Sequence, residues 1–106
     1  MISMNRTLFD QTAVCGEHPV LVAYCAPWCR YCQHLTPVLQ RLAQQYAPGI
    51  TFGTIDIDQE PQLASDEQIE VVPTLVLYRA GSVLGSIVVP ECGRQIEGFL
   101  REALEI

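Results

Sequence analysis

Charge is scarce in this chain, and basic charge is scarcest. Of 106 residues, 6 are Lys or Arg against 12 Asp or Glu, a formal net charge of −6. Nucleic-acid binding relies on a basic surface that displaces counterions from phosphates, and nothing here supplies one. Long apolar runs are missing too, since none approaches the roughly 18 residues that a membrane span requires. Met1 to Asp10 carries one Arg, no apolar core and no small-residue cleavage site, so it does not read as a secretory signal. Repeats, low-complexity tracts and linkers are absent. Apolar residues are plentiful at 49%, which excludes a disordered chain, because disorder follows from too little apolar surface to offset the entropy of ordering. A single domain over residues 1–106 with one core is the expectation.

Five cysteines, Cys15, Cys25, Cys29, Cys32 and Cys92, form an odd set without an export signal. A disulfide-stapled secreted scaffold fits poorly, because a chain of this length builds a core without staples. Reduced cytoplasmic thiols with one reactive pair fit better.

Hydrophobic patterning predicts alternating strands and helices. Met1 to Met4 reads as a very short strand with Ile2 and Met4 on one face, and Thr7 as the cap of a short helix carrying Leu8, Phe9, Ala13 and Val14. Val20 to Ala26 is a continuous apolar run, the signature of a strand buried on both faces. From Cys29 to Ala47, Leu35, Val38, Leu39, Leu42 and Tyr46 recur at helical spacing. Pro37 lies inside that helix and should kink it, and Pro48-Gly49 should stop it. Strands follow at Ile50–Asp58, Thr74–Tyr78 and Val83–Val89, the last two joined as a hairpin at Ala80-Gly81-Ser82. Helices are predicted over Pro61–Gln68 and Arg94–Leu104. The order β-α-β-α-β-α-β-β-α implies an α/β fold: a single mixed sheet with helices on both faces.

Chemistry concentrates in Trp28-Cys29-Arg30-Tyr31-Cys32, where the buried strand hands over to the long helix. Two cysteines three apart in a first helical turn can close a small disulfide ring. Cys29 comes first, where unpaired amides and the positive end of the helix dipole favour an anion, and the thiolate is the nucleophile. Cys32, one turn in, lacks that help. The asymmetry makes Cys29 the attacking thiol and Cys32 the resolving one. Arg30 adds a fixed positive charge beside Cys29, or else points into solvent, where that charge is screened. His18 and His34 lack the paired spacing of a zinc site, so no metal is expected. Asp56 and Asp58 read as solvated or structural residues on one strand face.

The segment from Val22 to Cys32 resembles the active-site segment of thioredoxin-like proteins. Pro37, Ile55-Asp56-Ile57-Asp58, Val72-Pro73-Thr74 and Gly81 match further landmarks of that family, from about Phe9 to Leu104. The resemblance implies a thioredoxin fold and thiol-disulfide exchange without a cofactor. It also implies a cis bond at Val72-Pro73, with the Val72 backbone as a ledge for an extended substrate strand. Departures stand beside the matches. Arg30-Tyr31 replaces the usual Gly-Pro or Gly-His and, with Trp28, should tune the pair. Ala23 stands where the family usually keeps a buried carboxylate that shuttles a proton, and Thr54 where many members have its lysine partner. Cys25 replaces an aromatic residue and is either a small core residue or a third thiol. Cys15 and Cys92 are expected bystanders. Val89, followed by Pro90, replaces a glycine that lets substrate backbone approach.

Together these readings predict a monomeric cytoplasmic oxidoreductase that reduces disulfides in partner proteins and draws electrons from a thioredoxin-reductase-like donor. An oxidase or isomerase, or a binding or chaperone-like module with incidental thiols, is the alternative.

Overall fold

A computed structural model describes Met1–Ile106. In chain order the elements are β1 (Ile2–Ser3), α1 (Arg6–Phe9, continued by a π-helical stretch over Asp10–Val14), β2 (Val20–Cys25), α2 (Arg30–Tyr46), β3 (Thr51–Asp56), α3 (Pro61–Asp66), β4 (Thr74–Arg79), β5 (Ser82–Val88) and α4 (Gly93–Leu104). The strands form one mixed sheet in the order β1-β3-β2-β4-β5. β1 and β3 run parallel, as do β3 and β2, whereas β2 with β4 and β4 with β5 are antiparallel. This is the α/β architecture that the patterning predicts. No helix is long and apolar enough to cross a membrane.

Strand parity explains why β2 and β4 are apolar throughout. Successive side chains on a strand point to opposite faces. Leu21 and Ala23 of β2 and Leu75 and Leu77 of β4 meet Leu35, Leu39, Leu42, Ile96 and Leu100 of α2 and α4. Their neighbours Val20, Val22, Tyr24, Val76 and Tyr78 meet Phe9, Ala13 and Leu63 on the other side. Both faces are dry, so no alternation survives in the sequence. Each fully buried Leu or Val contributes roughly 1.5–3 kcal/mol over its exposed state, which pins the register of both strands.

The ends of several elements differ from expectation for local reasons. Asn5, not Thr7, caps α1, its side-chain oxygen accepting the Leu8 amide at 2.9 Å. Ile2 stays 41% exposed on the edge strand while Met4 is buried, so the two do not share a covered face. β3 stops at Asp56, because its carboxylate accepts the Asp58 amide at 2.8 Å and turns the chain. Asp58 is therefore on a turn, not on a strand face with Asp56. α3 ends before Gln68, whose φ of 61° is left-handed. β5 ends at Val88, before Val89 enters the same region at φ 47°. Pro37 lies within α2 and has no amide to give the helix. The Ala47-Pro48 bond beyond α2 is cis, as is Val72-Pro73. The β4–β5 turn is Ala80-Gly81, both at positive φ, the twist that suits a two-residue hairpin.

A polar thread runs through the otherwise apolar face of the sheet. The hydroxyls of Tyr24 and Tyr78 lie 2.7 Å apart, and Tyr78 donates to Glu67 Oε1 at 2.8 Å. Phe9 packs edge-on against Tyr78, with ring centroids 5.1 Å apart. Tyr24 is fully buried and has no other partner. Tyr78→Phe should therefore cost about 1–3 kcal/mol, because it strands the Tyr24 hydroxyl, whereas Tyr24→Phe should cost less, since Tyr78 keeps Glu67. Urea unfolding followed by circular dichroism tests the order; a larger loss in Tyr24→Phe would contradict it.

Candidate active site

Cys29 stands between β2 and α2 as the N-cap of the helix, with extended backbone angles. N-cap residues ordinarily offer a side-chain oxygen to an unpaired amide of the first turn. Here sulfur takes that place: Cys29 Sγ accepts the Cys32 amide at 3.3 Å. The geometry suits an anionic sulfur, because a hydrogen bond to an ionised acceptor is the stronger kind. Cys29 is 9% exposed and Cys32 3%, so a narrow window reaches the first sulfur and almost none reaches the second.

Burial and the adjoining Cys29 push the Cys32 thiol far up from its ordinary range. Burial also raises the Cys25 thiol. The two positions where the family keeps its proton relay hold Ala23 and Thr54, neither of them ionisable, as register partners on β2 and β3. All five cysteines are free thiols, with Cys15 and Cys92 exposed at helix ends away from the others. No three His, Cys, Asp or Glu side chains converge in a way that would hold a metal.

Opposite Cys29 lies the Val72-Pro73 bond. Cys29 Sγ is 4.0 Å from the Val72 carbonyl oxygen. Neither the amide nor the carbonyl of Val72 takes part in a backbone hydrogen bond, and the carbonyl faces the Cys29 thiol alone. Pro73 itself is anchored, its carbonyl accepting the Val89 amide at 2.8 Å. Val89 holds a left-handed φ, which is costly for a β-branched residue, beside the ledge. Trp28 is 68% exposed, and with Ile57, Ile69, Glu70, Val71 and Val72 it lines a shallow hollow of about 420 Å³. Tyr31 is exposed on the helix, and Arg30 is exposed and makes no ion pair.

Of the expected residues, Cys29, Cys32 and Val72 meet through the Cys29 sulfur and Trp28 and Val72 share the hollow, while Arg30 and Tyr31 follow Cys29 on the exposed first turn of α2 and Pro73 follows Val72. The sequence reading missed Val71, Ile57 and Ile69, although the apolar residue directly before Val72-Pro73 was a usable signal. His34 is exposed on α2 and Asp58 lies on its turn, both outside this group.

A family model described as Thioredoxin matches residues 1–102. The chain belongs to the thioredoxin family. It is 32% identical over 104 residues to the thioredoxin of Alicyclobacillus acidocaldarius, covering 95% of this chain and 99% of that protein. It is 36% identical over 85 residues to thioredoxin 1 of Nostoc sp., covering 80% and 79%. The thioredoxin of Mycobacterium bovis shares 32% over 87 residues, covering 82% and 75%. As a thioredoxin-family protein the chain is a thiol-disulfide oxidoreductase that acts on disulfide-containing substrates.

The raised thiols carry a consequence for stability. An unfolded cysteine loses its proton from about pH 8.5 upward, whereas folded Cys25 and Cys32 hold theirs to higher pH. Their contribution is complete below about pH 8.5 and is lost as the pH climbs towards the folded values, at most about 1.4 kcal/mol per pH unit for each thiol. The reduced protein should therefore lose stability steadily above that pH, and the oxidised protein, in which Cys32 no longer titrates, more gradually. Urea midpoints of both forms across the alkaline range measure the slopes; equal slopes would mean that Cys32 is not held neutral by the fold.

Proposed function

We propose that this single thioredoxin-like domain, residues 1–106, reduces or exchanges disulfides in partner proteins through Cys29 and Cys32. One observation carries the reading: Cys29 sulfur caps α2, accepts the Cys32 amide and faces the Val72 carbonyl, which no backbone amide occupies.

Cys29 attacks one sulfur of the partner's disulfide as the thiolate. A mixed disulfide forms and the partner's other sulfur leaves as a thiolate. Cys32 then loses its proton and attacks Cys29 Sγ, closing the Cys29–Cys32 bond and releasing the partner's second thiolate. Two electrons pass to the partner. Val72 pairs with the partner's extended backbone on the Pro73 ledge, while Trp28 and Val71 cover its apolar side chains. The second step depends on deprotonating a buried thiol without a carboxylate relay, so the departing partner thiolate or water takes that proton. Electrons return from a thioredoxin-reductase-like donor. The exposed free thiols Cys15 and Cys92 favour a reducing compartment, and we place the protein in the cytoplasm as a monomer.

Insulin reduction by dithiothreitol separates this function from a binding or chaperone-like role. Wild type should accelerate precipitation of the insulin B chain, and Cys29→Ser should fall to the uncatalysed rate. Equal rates for the two would point to a binding module instead.

Arg30 and Tyr31 set the balance between the two redox states. Arg30 opens α2, where a cation opposes the helix dipole unless an anion stands beside it. A Cys29 thiolate is that anion, so the pair favours the reduced form and makes the couple more oxidising. Replacing Arg30-Tyr31 with Gly-Pro should shift the potential to more negative values, by about 30 mV for each tenfold change in the equilibrium. A glutathione redox titration reads it, and identical potentials would remove Arg30 from the tuning.

A further inference from the structure

Cys25 takes no part in the exchange described above, yet it sits against the pair. It follows Leu21 and Ala23 on β2, and the same parity turns it towards α2. There it packs on the small cluster of Ala26, Cys29 and Cys32. A second cleft, of about 440 Å³, opens on this side; Cys25, Cys32, Thr54 and Asp56 line it, and neither Cys29 nor Val72 does. Cys32 therefore has two thiol neighbours, one at the partner window and one at the cleft. The Cys25 and Cys32 thiols each perturb the other's ionisation.

We propose that Cys25 is a second exchange thiol, which takes the disulfide over from Cys29. In the oxidised protein Cys25 gives its proton to water in the cleft and attacks Cys32 Sγ. The Cys25–Cys32 bond forms as the Cys29–Cys32 bond breaks, and Cys29 leaves as a thiolate at the start of α2. No electrons enter or leave, and the proton lost by Cys25 balances the charge gained by Cys29. The product is an oxidised protein whose outer thiol is free again. With Cys32 committed, that thiol cannot complete a reduction. It can open a disulfide in a partner and then be displaced by another of the partner's own thiols, so the partner's disulfides are rearranged rather than reduced. This activity rests on the exchange function proposed above and extends it.

Burial opposes the ionisation of Cys25 most, with Asp56 of β3 and, in the reduced protein, Cys29 at the cap of α2 adding to it, whereas the hydrogen bond with Cys32 works the other way. The transfer should therefore be slow at neutral pH and faster in mild alkali. The test uses Cys15→Ser/Cys92→Ser protein, first shown to reduce insulin. It is oxidised with diamide at neutral or alkaline pH, alkylated in denaturant and cut with trypsin. Cleavage after Arg30 leaves Cys32 on one peptide and Cys25 with Cys29 on another, so fragmentation shows which of those two carries the alkyl group. We expect the group on Cys29 in a fraction that grows with pH, with Cys25 linked to Cys32. We also expect Cys29→Ser in the same background to form an intramolecular Cys25–Cys32 disulfide. An active parent labelled only on Cys25 at every pH, or a Cys29→Ser variant that yields only intermolecular dimers, overturns the proposal. A parent inactive towards insulin overturns the function beneath it.

Discussion

Burial of β2 on both faces is the constraint on which the rest of the structure depends. The strand pairs with β3 on one side and β4 on the other, and helices cover it above and below. A strand so enclosed cannot slip by one residue without exchanging two different sets of packed side chains. Its last residue, Cys25, and the turn through Ala26, Pro27 and Trp28 are therefore placed by the core. Cys29 inherits that rigidity, and α2 starts where the turn leaves it. A nucleophile held in this way needs no flexible loop to find its geometry. The Val72-Pro73 bond is equally fixed, because it leads straight into β4, the other central strand.

The central elements were legible because their signals are long and redundant. Val20–Cys25 has an unbroken apolar run, and α2 repeats Leu35, Leu39 and Leu42 on one face. Their ends were read less well, since an end is decided by one hydrogen bond rather than by a pattern. Asn5 captures the cap of α1 from Thr7, and the carboxylate of Asp56 turns the chain before Asp58. The pair of cysteines and the ledge opposite were readable from motif and position. What surrounds them was less so. Ile57 and Ile69 reach the hollow beside Trp28 from separate parts of the chain, and no local pattern announces a shared surface. Tyr24 and Tyr78 look like ordinary aromatic core residues until the antiparallel pairing of β2 with β4 brings their hydroxyls together.

Electrostatics at the pair is spare. Ala23 and Thr54 face each other across β2 and β3, so the relay expected from the resemblance has lost both of its partners at neighbouring sites. A lone carboxylate left there would have carried a heavy desolvation cost, and a lone lysine would have been no better. With neither present, the environment of Cys32 is governed by burial and by other sulfurs.

Trp28 is the only tryptophan in the chain, and it stands largely in solvent at the rim of the site. The folded protein leaves 68% of it exposed, so unfolding adds little to its hydration. Intrinsic emission from this molecule is consequently a poor gauge of folding. It is instead a local optical reporter, placed where a docked partner would dry the ring and a change at the neighbouring sulfur would alter its quenching.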